Sequence, residues 1–383
     1  MKKPPRSIER KVLAMPQDYQ PLSERCEVVG TFNPAAVHIK TKKGLETLLM
    51  IRVAERPIEE NPDYVNLPSF EIKNQEQNKL KMEFERYKKS DLLWEGERSV
   101  KVPDEHEGHY RLKDISLPRL LRLNEEGDVI ERSQKPAIFP SYEYERFGME
   151  DFRITPFEDK YILTYVVPHR QFGVSTGILL TKDFKNYKRL PEENTPRPSV
   201  TAVKDVILFP KKVPSPSSTE LIKKGQPIYA GFIRPNAFSE ISSAGIWISY
   251  SPDLVHWGQD HRLTPESSTT TGSGTPPIEL NDSWLAAYHE TTKNPQRENN
   301  YTTMLMKLNK RNPWENFKTS DVFLKREDYN SILPKRGYVP NVVFSSGITN
   351  LDGITTIYSG ADDQWTVGDK SYTEDLSNFV DES

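Results

Sequence analysis

One short unit occurs five times along the chain, and no other feature limits the fold as tightly: a polar or Gly-containing turn, an alternating apolar strand, then a polar side chain. The copies are Lys43–Val53 (KGLETLLMIRV), Glu158–Val167 (EDKYILTYVV), Lys224–Arg234 (KGQPIYAGFIR), Asn281–Glu290 (NDSWLAAYHE) and Leu351–Gly360 (LDGITTIYSG). The last four start 66, 57 and 70 residues apart, a spacing that suits one four-stranded blade each. Closed radially, five such units bury two-faced sheets against one another and shelter their edges. The fold expected is an all-β, five-bladed β-propeller. In it the polar strand ends Arg52, Arg234, His289 and the Asp362–Asp363 pair meet near a central axis, although they are far apart in sequence.

The first interval, 115 residues, is too long for one blade. The excess lies between blades one and two, in an insertion over residues 61–141 with a helical segment expected around Gln75–Tyr87 (QEQNKLKMEFERY). The division is then an N-terminal arm over 1–29, a propeller domain over 30–368 and a C-terminal tail over 369–383. A second element also recurs: Gly177–Tyr187 (GILLTKDFKNY) and Gly245–Trp257 (GIWISYSPDLVHW) share a strand followed by Ser/Thr-x-Asp-Phe/Leu-x-x-aromatic. Those aspartates read as structural, bonding turn amides while the ring closes the outer edge.

Composition fits this class and removes others. Thirty prolines and 19 glycines oppose long helices and favour many short strands. With 52 basic against 55 acidic residues, a net charge of −3 and no long single-sign block, a nucleic-acid surface is not expected. Mean hydropathy is −0.69 and no apolar run approaches a bilayer's width, so no membrane partner is expected either. The lone Cys26 allows no internal disulfide, and the charged, proline-rich start has no signal-peptide pattern, which together read as a cytoplasmic protein.

The densest run of reactive side chains is Arg146-Phe147-Gly148-Met149-Glu150-Asp151-Phe152-Arg153. In a regular strand Asp151 and Arg153 share a face and Glu150 takes the other, so the two carboxylates are not expected to form a same-face acid pair. Read from this segment alone, Asp151 and Arg153 are equally a surface ion pair of little consequence. His289 has no second His or Cys at metal-ligand spacing, and no metal site is expected. Lys204, Arg234 and His289 are rim residues taken singly, but converging on one cavity they make an anion site. Gly272-Ser273-Gly274 lacks the Lys-Ser/Thr and helix of a nucleotide loop.

Taken in order, ten segments resemble glycoside hydrolase family 130, the mannoside phosphorylases and related mannosidases. Among them are Phe32–Val37 (FNPAAV), Leu49–Arg52, Gly148–Ile154, Lys204–Pro210, Ile233–Pro235, Gly272–Ile278, Trp284–His289, Gly337–Phe344 (GYVPNVVF) and Tyr358–Asp362 (YSGAD). The resemblance spans about residues 30 to 368 and implies a five-bladed propeller. It also implies inverting attack on a β-mannosyl unit, with Asp151 as proton donor acting through a substrate hydroxyl. Asn33, Arg52, Glu150, Arg153 and Asp362 match the substrate-binding positions, and Lys204, Arg234 and His289 the phosphate pocket. The implied partners are a β-mannoside oligosaccharide and, as co-substrate, inorganic phosphate, with no cofactor; the 61–141 insertion and the N-terminal arm are candidate contacts of a homo-oligomer.

Two departures bear on the chemistry. The family's usual Glu-Asp-Pro-Arg reads Glu150-Asp151-Phe152-Arg153, and Thr270 stands where a phosphorylase usually carries a lysine. Glu290 follows His289 where a glycine is common and is a candidate base for water. Reversible phosphorolysis is therefore weighed against an inverting β-mannosidase, which needs a second carboxylate, and against a non-catalytic sugar-binding propeller.

Overall fold

A computed structural model describes all residues except 1, 73–79, 106–107, 171–172, 192–196, 221, 236–244, 265–268, 294–298 and 316. The chain is all-β: among the described residues its strands form seven sheets, with one α-helix at Thr373–Glu382. Each of the five repeat copies becomes the second strand of one of the five larger sheets.

The first sheet runs Cys26–Thr41, Gly44–Pro57, Ile115–Leu123, Val129–Pro136. The second runs Glu150–Phe157, Lys160–His169, Gly173–Thr181, Lys188–Leu190. The third is Val203–Leu208, Pro227–Pro235, Trp247–Ser251, Gly258–Arg262, and the fourth Thr270–Ser273, Ser283–Lys293, Asn299–Asn309, Lys318–Thr319. The fifth takes Val343–Leu351, Ile354–Ala361 and Trp365–Tyr372, then adds Glu9–Ala14 from the other end of the chain, antiparallel to Trp365–Tyr372.

Each sheet meets the next through its first strands. Cys26–Thr41 of the first sheet lies against Glu150–Phe157 of the second and also against Val343–Leu351 of the fifth, so the series of contacts returns to its start. The interfaces are filled by the inward faces of alternating strands. Leu48, Met50, Phe152, Leu163 and Tyr165 share one core between sheets one and two, and Phe209, Phe232, Ile248, Trp284 and Met306 share another between three and four.

The insertion differs from expectation. Residues 75–79 of the expected helix lie outside the described residues, but Met82–Lys88 is a strand paired antiparallel with Tyr64–Phe70. Pairing decides against the helical pattern: Met82 packs on the main core and Tyr87 on a small core with Val65, Leu67, Val100 and Val102, so both faces of the segment find apolar partners. A three-stranded sheet, Trp94–Glu95, Ser99–Val102 and His109–Leu112, completes the insertion.

The recurring aspartates are structural, as expected. Asp183 accepts from the amides of Lys185 and Asn186, and Asp253 from those of Val255 and His256.

Candidate active site

Regular alternation fails where the first strands of three sheets reach the middle of the molecule. The ladder slips between Phe32 and Ala35, between Glu150 and Arg153, and between Lys204 and Ile207. Inside each slip stands an Asn or Asp in the left-handed region: Asn33 (φ 47°), Asp151 (φ 49°) and Asp205 (φ 54°). These residue types tolerate that conformation, and a bulge re-aims the side chain it carries.

All three open into a recess of about 500 Å³, lined also by Arg52, Arg98, Glu150, Lys204, Arg234, His289 and Asp363. A second recess of about 590 Å³ shares Glu150, Asp151 and Lys204 with it and continues along Tyr110, Phe147 and His169. The two carboxylates thus stand where a polar chamber meets a more apolar one.

The bulge overturns two expectations. Glu150 and Asp151 do face the same side: Arg52 Nη2 lies 2.8 Å from Glu150 Oε1, and Arg52 Nη1 donates to Asp151 Oδ1 at 2.9 Å. Arg153 makes no ion pair with the Asp151 carboxylate and does not line either recess. It runs back into the core and donates to the carbonyls of Gly274, Asp151 and Phe152.

Asn33 Nδ2 donates to Asp151 Oδ1 at 2.8 Å, leaving its own Oδ1 without a protein partner. Arg52 is held by the Ser116 hydroxyl (3.0 Å) and packs over the Phe32 ring (4.8 Å). Burial works against ionising Asp151, but Arg52, Arg153 and the Asn33 bond outweigh it, and the carboxyl sits below its usual range. Burial pushes Glu150 the other way; Arg52 opposes, while Asp151 and Asp114 add to the rise.

Lys204, Arg234 and His289 are brought together at the far wall. Lys204 and Arg234 are cross-strand partners, Asp205 Oδ2 sits 3.0 Å from Arg234 Nε, and Arg234 Nη1 is 3.2 Å from His289 Nε2. A guanidinium has only donors, so Nε2 accepts and His289 Nδ1 carries the hydrogen, with no protein partner. Burial, then Arg234, push His289 down to about 3, so the ring is neutral near pH 7. Burial and Arg234 also lower Lys204.

Gly272 makes this packing possible. It is the cross-strand partner of His289, and a Cβ there would collide with the His289 ring and Arg234 Nη1.

Besides Arg153, three further positions singled out from the sequence are not among the lining side chains. Asp362 faces the protein, accepting from Arg326 Nε (2.7 Å) and the amides of Gly337 (2.9 Å) and Val342 (3.3 Å); its neighbour Asp363 takes the cavity position. Glu290 points to the opposite face of its strand from His289, beside Tyr288, because successive residues alternate. Thr270 is likewise outside both recesses.

Sequence reading missed Asp205 and Arg98. Arg98 comes from the insertion and bridges Asp363 (2.5 Å) and Asp114 (2.9 Å). An Asp inside an apolar run was the available signal for the first; nothing local marks the second. Among the described residues no group of three His, Cys, Asp or Glu is placed to hold a metal ion.

A family model described as beta-1,4-mannooligosaccharide phosphorylase matches residues 52–382. The chain belongs to glycoside hydrolase family 130. It is 30% identical over 371 residues to a beta-1,2-mannobiose phosphorylase of Listeria innocua, covering 94% of each chain. A beta-1,4-mannooligosaccharide phosphorylase of Ruminococcus albus is 25% identical over 67% of this chain and 72% of its own. The solved structure of the Listeria innocua beta-1,2-mannobiose phosphorylase with beta-1,2-mannobiose superposes with a TM-score of 0.79 at 26% identity, covering 96% and 97% of the two chains. A mannose phosphorylase of Leishmania mexicana in complex with phosphate ion shares the fold, with a TM-score of 0.53 at 14% identity over 95% and 88% of the chains.

Proposed function

We propose that this family 130 enzyme cleaves β-mannosides by reversible phosphorolysis, giving mannose 1-phosphate. The observation that carries the reading is the convergence of Lys204, Arg234 and the unpartnered His289 Nδ1 on the cavity that holds Asp151. Two cations and a neutral donor suit phosphate oxygens, since charge-assisted bonds contribute roughly 1.5–3 kcal/mol each.

In this reading Asp151 gives the proton to the leaving side while phosphate attacks the anomeric carbon from the opposite face. One enzyme acid suffices when phosphate is the nucleophile. Asn33 and Arg52 orient Asp151. Asp363, tied to Arg98, takes the sugar-holding role expected of Asp362, and Arg153 supports the bulge from behind. The second recess, with Tyr110 and Phe147, suits the departing sugar. Likeness to the Listeria innocua enzyme favours a β-1,2 linkage.

Hydrolysis is the weaker reading because Glu290, its expected base, lies off the cavity. A silent sugar-binding module is weaker still, since Asp151 is retained with two bonded partners. The closed series of sheet contacts supports a five-bladed propeller; the segment inserted in blade one ends before Ile115, because Ile115–Leu123 and Val129–Pro136 are strands of the first sheet, and Glu9–Ala14 of the arm joins blade five. The single, buried Cys26 supports a cytoplasmic site, and the exposed Leu93, Trp94 and Tyr110 of the insertion support a contact between copies.

The test is incubation of the purified protein with β-1,2-mannobiose, with and without phosphate. Mannose 1-phosphate should form only with phosphate present. Free mannose released at the same rate in both arms rules phosphorolysis out.

A further inference from the structure

If Asp151 is the proton donor, it has to be protonated when the sugar is bound, yet its bonds to Asn33 and Arg52 favour the carboxylate. The proton must be held nearby. Glu150 is the adjacent group, 7% exposed, on the same guanidinium, with Oε1 within 2.8 Å of Arg52 but lacking any aligned hydrogen bond.

One guanidinium neutralises one carboxylate. Two on it in a buried site cannot both ionise cheaply, so the pair titrates as a unit. Asp114 and Arg98 from the insertion and Lys204 from the third sheet act on Glu150, and Asp363, in the turn before Trp365–Tyr372, shares the recess and interacts with Arg52 and Asp151. His109, His169, Arg111 and Arg170 line the second recess on which it also opens.

We propose that Glu150 and Asp151 form a one-proton dyad across Arg52: Glu150 holds the proton in the free enzyme and Asp151 receives it when sugar and phosphate are bound. This rests on the donor reading above. A bound phosphate anion draws on the field of Lys204 and Arg234, which otherwise favours ionised Asp151, and the sugar displaces water from both carboxylates. The Glu150 O–H bond then breaks and an Asp151 O–H bond forms. Asp151 passes that proton to a substrate hydroxyl, whose own proton goes to the leaving glycosidic oxygen, which keeps the electron pair of the broken C1–O bond. A phosphate oxygen supplies the pair for the new C1–O bond. The hydrogen left on the phosphoryl group goes to solvent, and Glu150 is reprotonated from it. Glu150 is a positioning residue, acting through Asp151.

The experiment is the pH profile of kcat at saturating sugar and phosphate for the unmodified enzyme, Glu150→Gln and Glu150→Asp. The dyad must carry one proton, so activity falls as pH rises through its upper step. Glu150→Gln should move that alkaline limb to lower pH, costing about tenfold in kcat at neutral pH per unit of displacement and recovering in acid. Glu150→Asp should keep the limb. A uniform fall in Glu150→Gln with an unmoved limb, or identical profiles for the two variants, overturns the dyad but leaves Asp151 as donor. Full activity of Asp151→Asn overturns the donor reading itself. If neither Glu150 variant melts cooperatively, the limb of the unmodified enzyme decides: carboxyl ionisation has little enthalpy, so a limb that shifts markedly with temperature excludes the dyad.

Discussion

His289 shows what one residue's surroundings impose. Its ring is packed beside Tyr301 and Phe344 and accepts from Arg234, which leaves no room for a second proton. The folded value of about 3 lies below the ordinary value of 6.5, so between those limits the unfolded chain binds more protons. Stability from this group is complete above pH 6.5 and is lost as pH falls toward 3. Replacing His289 with Gln should therefore flatten the decline of unfolding free energy over that acid range, measured by urea titrations at several pH values; an unchanged slope contradicts a buried neutral ring. Residue identity was legible where chemistry is bound to type: Asp151, Arg52, Lys204, Arg234 and His289 all reach the cavity. Direction was not. Asp362 and Asp363 differ by one position, and only the tertiary partners Arg326, Gly337 and Val342 decide which turns away.

At the scale of the element, the first strand of the second sheet departs from the ideal where Asp151 must point inward. Its bulge is backed by Phe152, stacked on Tyr165 at 5.1 Å, whose hydroxyl donates to buried Glu145. Phe152→Ala should lose about 3–5 kcal/mol of unfolding free energy and lower kcat, because the bulge loses its support. Chemical denaturation gives the first quantity, and a loss below about 1 kcal/mol removes this role from the ring. The strand repeat was readable because period 2 is fixed by backbone geometry. The bulges were not read because a slip in register depends on the partner strand, although an Asn or Asp within an apolar run at Asn33, Asp151 and Asp205 is their trace. Met82–Lys88 fails as a helix for the same reason: its pairing with Tyr64–Phe70 is set outside the segment.

For the whole molecule, five copies of one unit were enough to find five sheets, but not to foresee how the last is completed. Glu9–Ala14 lies against Trp365–Tyr372, with Arg10 bound to Asp369, which also accepts from Tyr329. Deleting residues 1–14 should uncover the edge of Trp365–Tyr372, lower the melting temperature and promote self-association. Calorimetry and light scattering test this; a variant as stable and monodisperse as the parent would show that the pairing is dispensable.

That pairing also orders events during synthesis. Glu9–Ala14 has to wait for Trp365–Tyr372, more than 350 residues later, before it finds its ladder partners. Until Trp365–Tyr372 has been made, the fifth sheet has an open seam, the kind of surface that chaperones and proteases act upon. The pairing therefore makes closure of the fifth sheet a late event in synthesis, after Trp365–Tyr372 has emerged.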